Sequence, residues 1–311
     1  MKKIICIAGP TASGKTALSI ALAKELDAEI ISCDSMQVYR HMDIGTAKPT
    51  LEERDGIPHY MLDVADPEEA FSVSRYCQMA TPILEQILSR GKTAIVVGGT
   101  GLYMDALIRG NAFAPYPATG RREELERMAA SEGIEKVIGM LRQVDPESAA
   151  RLHPSDQKRI IRAMEVYLET GKSITQHNLE TQTLPPRFEA TWFALQDEDR
   201  QDLYRRIDDR VETMLELGLI EEIKGLLRMG IPEKATAMQA IGYKEFIDYL
   251  SGSCTLDEAC KQVQQSSRHY AKRQLTWFRK NPQIHWLTRK PGQKTGEILQ
   301  SLRQVLRESD N

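Results

Sequence analysis

Cysteine is scarce in this 311-residue chain, and the five residues present, Cys6, Cys33, Cys77, Cys254 and Cys260, are odd in number and scattered. None forms a C-x-x-C pair or lies near a histidine cluster, so neither a disulfide framework nor a structural zinc site is expected. Long apolar runs are also missing, and Met1-Lys2-Lys3 leads straight into the first short one. Neither a membrane span nor a secretory leader is therefore expected, and the protein is placed in the cytoplasm. A large net charge is absent as well: the formal value is −3, which argues against a generally basic nucleic-acid binder. Internal repeats and low-complexity tracts are lacking, and the length suffices for one large or two ordinary domains.

What is present begins at the N-terminus. Ile4-Ile5-Cys6-Ile7-Ala8 reads as a buried strand, and Gly9-Pro10-Thr11-Ala12-Ser13-Gly14-Lys15-Thr16 follows it as a full match to the phosphate-cradling P-loop pattern. The stretch from Ala17 to Leu26 supplies the helix that the motif needs. Backbone N–H groups of such a loop point into one concavity, where the helix dipole adds positive potential. Lys15 is suited to neutralise phosphate oxygens and the Thr16 hydroxyl to ligate Mg²⁺.

Five apolar runs read as strands: residues 3–8, Glu29–Ser32, Thr93–Val97, Thr191–Leu195 and Ile284–Leu287. Helical patterns separate them, which predicts an α/β fold, a P-loop NTPase-like parallel sheet flanked by helices. Between Gly99 and Ala190 lie about ninety residues, far more than the dozen a crossover requires. An inserted all-helical subdomain is expected there, at 114–186, with the core formed by 1–113 and 187–311. Proline signals mark its ends, Ala114-Pro115-Tyr116-Pro117 and Leu184-Pro185-Pro186. Helices are expected from Ser155-Asp156 to Gly171, from Asp199 to Leu217, and from Thr255, where Thr255-Leu256-Asp257-Glu258 reads as a capping box, to before Asn281-Pro282.

Two further features carry chemistry. The second strand ends in Asp34, on the side of the sheet where ligands of open α/β folds sit. Its carboxylate reads either as a general base or as a cap of its own turn. The third predicted strand ends in Gly98-Gly99-Thr100-Gly101, where an ordinary P-loop NTPase would carry a metal-binding aspartate. That weakens ATP hydrolysis as the function. Charge is also segregated: Arg268 to Lys294 contains eight Lys or Arg residues and no acid, interleaved with Tyr270, Trp277, Phe278 and Trp286. Read alone, the run is either a solvated helix face or a local polyanion site.

Together with the P-loop, Asp34-Ser35-Met36-Gln37-Val38-Tyr39, Met42-Asp43-Ile44-Gly45-Thr46-Ala47-Lys48-Pro49, Gly98-Gly99-Thr100-Gly101-Leu102-Tyr103 and Lys272-Arg273-Gln274-Leu275-Thr276-Trp277-Phe278-Arg279 resemble the bacterial tRNA dimethylallyltransferases, also called tRNA isopentenyltransferases. The resemblance spans nearly the whole chain. It implies transfer of a five-carbon prenyl group from dimethylallyl diphosphate to N6 of adenosine 37, in tRNAs reading codons that begin with U. The P-loop, Gly9 to Thr16, would then hold the departing diphosphate, with Lys15, Arg210 and Mg²⁺ stabilising its charge and Thr16 supporting the metal. Asp34 would accept the N6 proton. The base must be extruded from the anticodon stem-loop. By the same resemblance the tRNA path comprises Asp34, Ser35, Met36, Gln37, Thr100, Arg122, Lys158, Arg159, Ile160, Ile161, Arg162, Lys272, Arg273, Gln274, Trp277 and Arg279. Eukaryotic members carry a C-terminal zinc finger, and no pattern for one is present here. Competing readings are a P-loop kinase of a small metabolite, a prenyltransferase of free adenine nucleotides, and a non-catalytic RNA-binding module. A monomer is the default.

Overall fold

The computed structural model describes residues 3–111, 119–183 and 185–308. The chain forms two compact units, Met1–Gly110 with Arg187–Asn311, and Asn111–Pro186. In the first unit, β1 (Ile4–Ala8) is buried at every residue and leads into α1 (Lys15–Leu26) and then β2 (Glu29–Ser32). The short α2 (Leu51–Arg54) opens on a capping box made by Thr50 and Glu53, and β3 is the two-residue strand His59–Tyr60. Ser72 caps α3 (Val73–Ser89) through the amide of Arg75, and β4 (Ala94–Gly98) and α4 (Gly101–Arg109) follow.

The second unit is helical among its described residues. It contains α5 (Arg121–Glu132), α6 (Ile134–Val144), α7 (Pro146–Arg151), α8 (Gln157–Thr170) and α9 (Ile174–Thr183). Leu125, Val137, Ile138, Leu141, Ile160, Ile161 and Met164 form its apolar core. Asp145 is buried and caps α7 through the amide of Ser148, while also accepting from the amide and hydroxyl of Thr175. Asp156 and Gly171 bound α8, and Gly171 takes the left-handed conformation that ends a helix. The leading proline segment, residues 114–117, and Leu184 lie outside the described residues.

The chain rejoins the first unit beside the point where it left. The amides of Arg187 and Phe188 donate to the carbonyls of Arg109 and Ile108, and a Cβ at Gly110 would lie 2.5 Å from the Arg187 side chain. Next come β5 (Thr191–Asp197), α10 (Arg200–Glu216), α11 (Leu219–Arg228), a 3-10 turn at Ala237–Gln239, and α12 (Lys244–Leu250). The long α13 (Leu256–Phe278) begins on the Thr255–Glu258 capping box, and β6 (Ile284–Arg289) and α14 (Thr295–Glu308) complete the described chain.

The six strands form one parallel sheet in the order β3-β2-β4-β1-β5-β6. Five were expected; the additional strand, His59–Tyr60, is too short to leave an alternation in sequence and exists by pairing with Ile30 and Ile31. On one face α1 and α14 cover the strands: Leu18 and Leu22 meet Ile5, Ile7, Ile30 and Ile95, and Leu299, Leu302 and Leu306 extend the same core. Fully burying such side chains stabilises by about 1.5–3 kcal/mol each, which is why the apolar stripe of α14 docks there. On α3 and α4, Tyr76 and Tyr103 stack at 4.6 Å, and the Tyr76 hydroxyl donates to the Ser32 carbonyl. The central strand β1 therefore delivers the P-loop, and β2 delivers Asp34, to the same edge. No described helix is long and apolar enough to cross a membrane.

Candidate active site

The P-loop holds its curvature through unusual backbone angles. Gly9 has φ +146°, and a Cβ there would sit 3.1 Å from the Leu195 carbonyl; Gly14 has φ +87°. Ala12 also lies at positive φ (59°), and its carbonyl accepts from Arg206 Nε at 3.0 Å, while the same guanidinium grips Asp197 Oδ1 at 2.6 Å. No side chain caps α1, and its first turn carries no acid, so its leading amides remain directed at the concavity. Lys15 Nζ folds back to the Pro10 carbonyl at 2.7 Å.

A cavity of about 410 Å³ opens from this loop. Lys15, Thr16, Asp34 and Arg210 line its polar end, and Ile207, Val211, Met214, Ile241 and Val263 are among its apolar walls. A site of this volume and mixed lining accommodates a small ligand with a charged head and an apolar tail. Burial brings the Lys15 ammonium down to about 8; the nearby Asp34 opposes that shift and Arg210 adds to it. Arg210 is likewise lowered by burial and favoured in its charged form by Asp34.

Both readings of Asp34 are realised in one side chain. Oδ1 caps the following turn by accepting from the amides of Met36 (2.9 Å) and Gln37 (3.3 Å). Oδ2 has no hydrogen-bond partner among the described residues, and Asp34 lines the cavity. Gln37 is spent internally: Nε2 donates to the carbonyls of Thr46 and Ala47, and Oε1 accepts from Ser32 Oγ. It thus braces the Thr46–Ala47 turn while lining the cavity. Thr100 accepts the Ser35 amide at 3.0 Å and is hydrogen-bonded to Tyr270, whose hydroxyl burial pushes up to about 12.

The glycines that replace a metal-binding aspartate form a seat for other groups. A Cβ at Gly98 would lie 2.0 Å from the Cys33 carbonyl, at Gly99 2.0 Å from Gln274 Nε2, and at Gly101 2.2 Å from the Trp277 ring. Helix α13 thus presses onto the end of β4 through Gln274 and Trp277, and the Trp277 indole N–H donates to Asp105 Oδ2 at 2.7 Å. Gln274 is 5% exposed. Its amide serves two backbone groups, and the residue also lines the cavity.

The segment from Met42 to Pro49 walls the cavity at Gly45, Thr46, Ala47 and Pro49. Residues far away in sequence hold it. Glu222 accepts from the amides of Asp43, Ile44 and Gly45 and from the Tyr243 hydroxyl. Lys48, with its side chain 3% exposed, reaches the Tyr39 carbonyl at 2.8 Å and the carboxylates of Asp43 and Asp63 at 2.6 and 2.5 Å. Sequence reading missed Glu222, Tyr243 and Asp105 as supports and Tyr270 as a wall; only the glycine within Asp43-Ile44-Gly45-Thr46 signalled a close approach there.

A family model described as IPP transferase matches residues 37–281. The chain belongs to the IPP transferase family. It is 48% identical over 285 residues to the tRNA dimethylallyltransferase 2 of Geotalea uraniireducens, with 92% of each chain covered. It is 44% identical over 307 residues to the tRNA dimethylallyltransferase of Acetivibrio thermocellus, with 98% of each covered. A solved tRNA isopentenylpyrophosphate transferase from Bacillus halodurans superposes with a TM-score of 0.73 at 42% identity, over 98% of this chain and 96% of that one. A eukaryotic dimethylallyltransferase acting on tRNA superposes with a TM-score of 0.79 at 34% identity, over 93% of this chain and 74% of that one.

For this IPP transferase chain the remaining expected residues fall into separate groups. In the helical unit Lys158 and Arg159 are exposed, Arg162 pairs with Glu165, and Arg122 pairs with Glu126 and approaches Glu165. Ile160 and Ile161 are 0% and 5% exposed, with their side chains in that unit's core. In the first unit Ser35 and Met36 line the cavity, Lys272, Arg273 and Arg279 are exposed, and the Arg273 guanidinium stands 5.5 Å from the Tyr270 ring. The oxygen donors also fit a divalent cation: Thr16, exposed on the first turn of α1, lines the same cavity as Asp34, whose Oδ2 has no hydrogen-bond partner among the described residues. Mg²⁺ commonly takes one or two protein oxygens and completes its shell with phosphate and water.

Proposed function

We propose that this chain transfers the dimethylallyl group of dimethylallyl diphosphate to N6 of adenosine 37 in tRNAs that read codons beginning with U. The names of its relatives support that activity. The observation that carries it is the joint placement of a phosphate nest, an apolar cavity wall and a carboxylate oxygen without a partner among the described residues in a single cavity. In the reaction the allylic C1–O bond breaks, the N6–C1 bond forms, and one N6 proton leaves. The nest, Lys15 and Arg210 stabilise the departing diphosphate, whose charge grows as the bond breaks. Held by the Thr16 hydroxyl and the diphosphate oxygens, Mg²⁺ would neutralise part of that charge. Asp34 Oδ2 accepts the hydrogen bond of the N6 amine and takes its proton, while Oδ1 stays fixed by its own turn. The apolar wall receives the prenyl chain and keeps water from the allylic carbon.

The acceptor is RNA rather than a free nucleotide on this reading, because Arg273 of α13 lines the cavity and is exposed together with Lys272 on the same helix and Arg279 at its C-terminal cap. Lys158 and Arg159 on α8 are assigned to the same RNA. Incubation with Mg²⁺, radiolabelled dimethylallyl diphosphate and either tRNA or AMP tests this. Label is expected in tRNA, in an RNase-released adenosine derivative. Label confined to AMP would replace the acceptor, and phosphate transfer from ATP without prenyl transfer would overturn the reading.

A further inference from the structure

Helix α13 has two working sides. Its outer side carries Lys272 and Arg273, with Arg279 at its C-terminal cap, and its inner side carries Gln274, buried against the phosphate loop. Both functional atoms of that one amide are used on backbone groups remote in sequence. Oε1 accepts the Thr11 amide at 2.9 Å, within the P-loop, and Nε2 donates to the Gly99 carbonyl at 3.0 Å, at the end of β4. Gly99 cannot carry a side chain, since a Cβ would meet Nε2 at 2.0 Å; the same point is 3.5 Å from the Gly9 carbonyl. The amide thus plugs the junction between the two strands that frame the nest. A planar amide with both ends satisfied has one orientation here, because reversing it sets donor against donor and acceptor against acceptor.

We infer that Gln274 is a positioning residue that couples the two substrate sites. It rests on the proposed prenyl transfer to RNA. RNA engaging the outer side of α13 fixes the helix, the helix fixes the Gln274 amide, and the amide fixes Thr11 and hence the curvature of the nest. Coupling is reciprocal, so a filled nest also steadies α13 for RNA.

The test is the affinity of a non-reactive allylic probe, dimethylallyl thiolodiphosphate, with and without an anticodon stem-loop RNA. In the unaltered protein the RNA is expected to tighten the probe at least about fivefold. Gln274→Met keeps length and burial but removes both hydrogen bonds, and is expected to bring that ratio to one while RNA binding alone persists. Gln274→Glu retains the acceptor for Thr11 and loses the donor to Gly99, so its ratio should lie between the two, whatever its overall affinity; it stands in if the methionine variant does not fold. A ratio of one in the unaltered protein, or an undiminished ratio in a folded variant, would overturn the inference. Failure of the unaltered protein to prenylate RNA would sink the function itself, and that assay is separate.

Discussion

The phenol of Tyr243 donates to Glu222 Oε1 at 2.6 Å, and the same carboxylate gathers the amides of Asp43, Ile44 and Gly45. The Tyr243 ring approaches so closely that a Cβ at Gly45 would lie 2.5 Å from it. Ring and turn cannot separate without breaking bonds to a charged acceptor. Gly45→Ala is therefore expected to destabilise by about 2 kcal/mol, as overpacking does, and to raise KM for the allylic diphosphate through the cavity wall. Thermal melting and steady-state kinetics check it; an unchanged melting temperature would contradict the close approach.

Lys15 has a pH signature with two opposite signs. Burial lowers it from 10.5 to about 8, so the ammonium that attracts diphosphate is lost above that pH in the free protein. The kcat/KM for the allylic diphosphate should fall above pH ~8, since this ratio reports the free enzyme. Stability responds the other way. Between about 8 and 10.5 the unfolded chain binds more protons at this site than the folded one, so the Lys15 contribution to stability rises with pH. Lys15→Met should lose both dependences, and a persisting alkaline limb in that variant would assign it to another group.

Asp34→Asn tests the division of labour within one side chain. Asparagine keeps an Oδ1 acceptor for the amides of Met36 and Gln37, so the turn persists, but the proton acceptor is gone. We expect kcat to fall by about 10²- to 10⁴-fold, the usual range for a lost general base, with KM for the allylic diphosphate changed little. Asp34→Ala should in addition loosen the turn and raise that KM. Equal kinetics for the two variants would mean that capping is all the carboxylate does.

Local patterns made much of this legible. The P-loop, the Thr255–Glu258 capping box, Asp156 and Gly171 at the ends of α8, and Asp34 after β2 are decided within a few residues of themselves. Lys158, Arg159 and Arg162 were grouped with Ile160 and Ile161 as one contiguous stretch, although helical periodicity turns the isoleucines inward. Gln37 and Gln274 are placed on the tRNA path by the family resemblance, and only the fold supplies the backbone groups that their amides also hold. Glu222 lies 177 residues from Gly45, and no spacing rule bridges such a distance.

Lys48→Met probes the other clamp on the cavity wall. The carboxylates of Asp43 and Asp63 are 63% and 42% exposed, so water can replace the ammonium around them. The Tyr39 carbonyl, in a fully buried residue, loses its Lys48 donor. A loss of about 2 kcal/mol is expected, the cost of one buried group left unpaired, and denaturant unfolding measures it. A loss below about 0.5 kcal/mol would show that the residue contributes no more than a surface ion pair.

Charges on α13 and its C-terminal cap divide into those already paired and those left for a polyanion. Arg268 is held by both oxygens of Asp208, at 2.9 and 2.7 Å. Lys272 and Arg279 are exposed and have no carboxylate partner among the described residues. Only unpaired cations displace condensed counterions when they meet a phosphate, and each such contact adds about 0.7–0.9 to the slope of log K against log salt. Neutralising Lys272 or Arg279 should therefore reduce the salt slope of anticodon stem-loop binding by that amount per residue. Arg268→Gln should leave the slope unchanged, because its charge is already balanced by Asp208. Binding measured from 50 to 300 mM salt separates the cases, and equal slopes for all three variants would place the RNA backbone elsewhere on the protein.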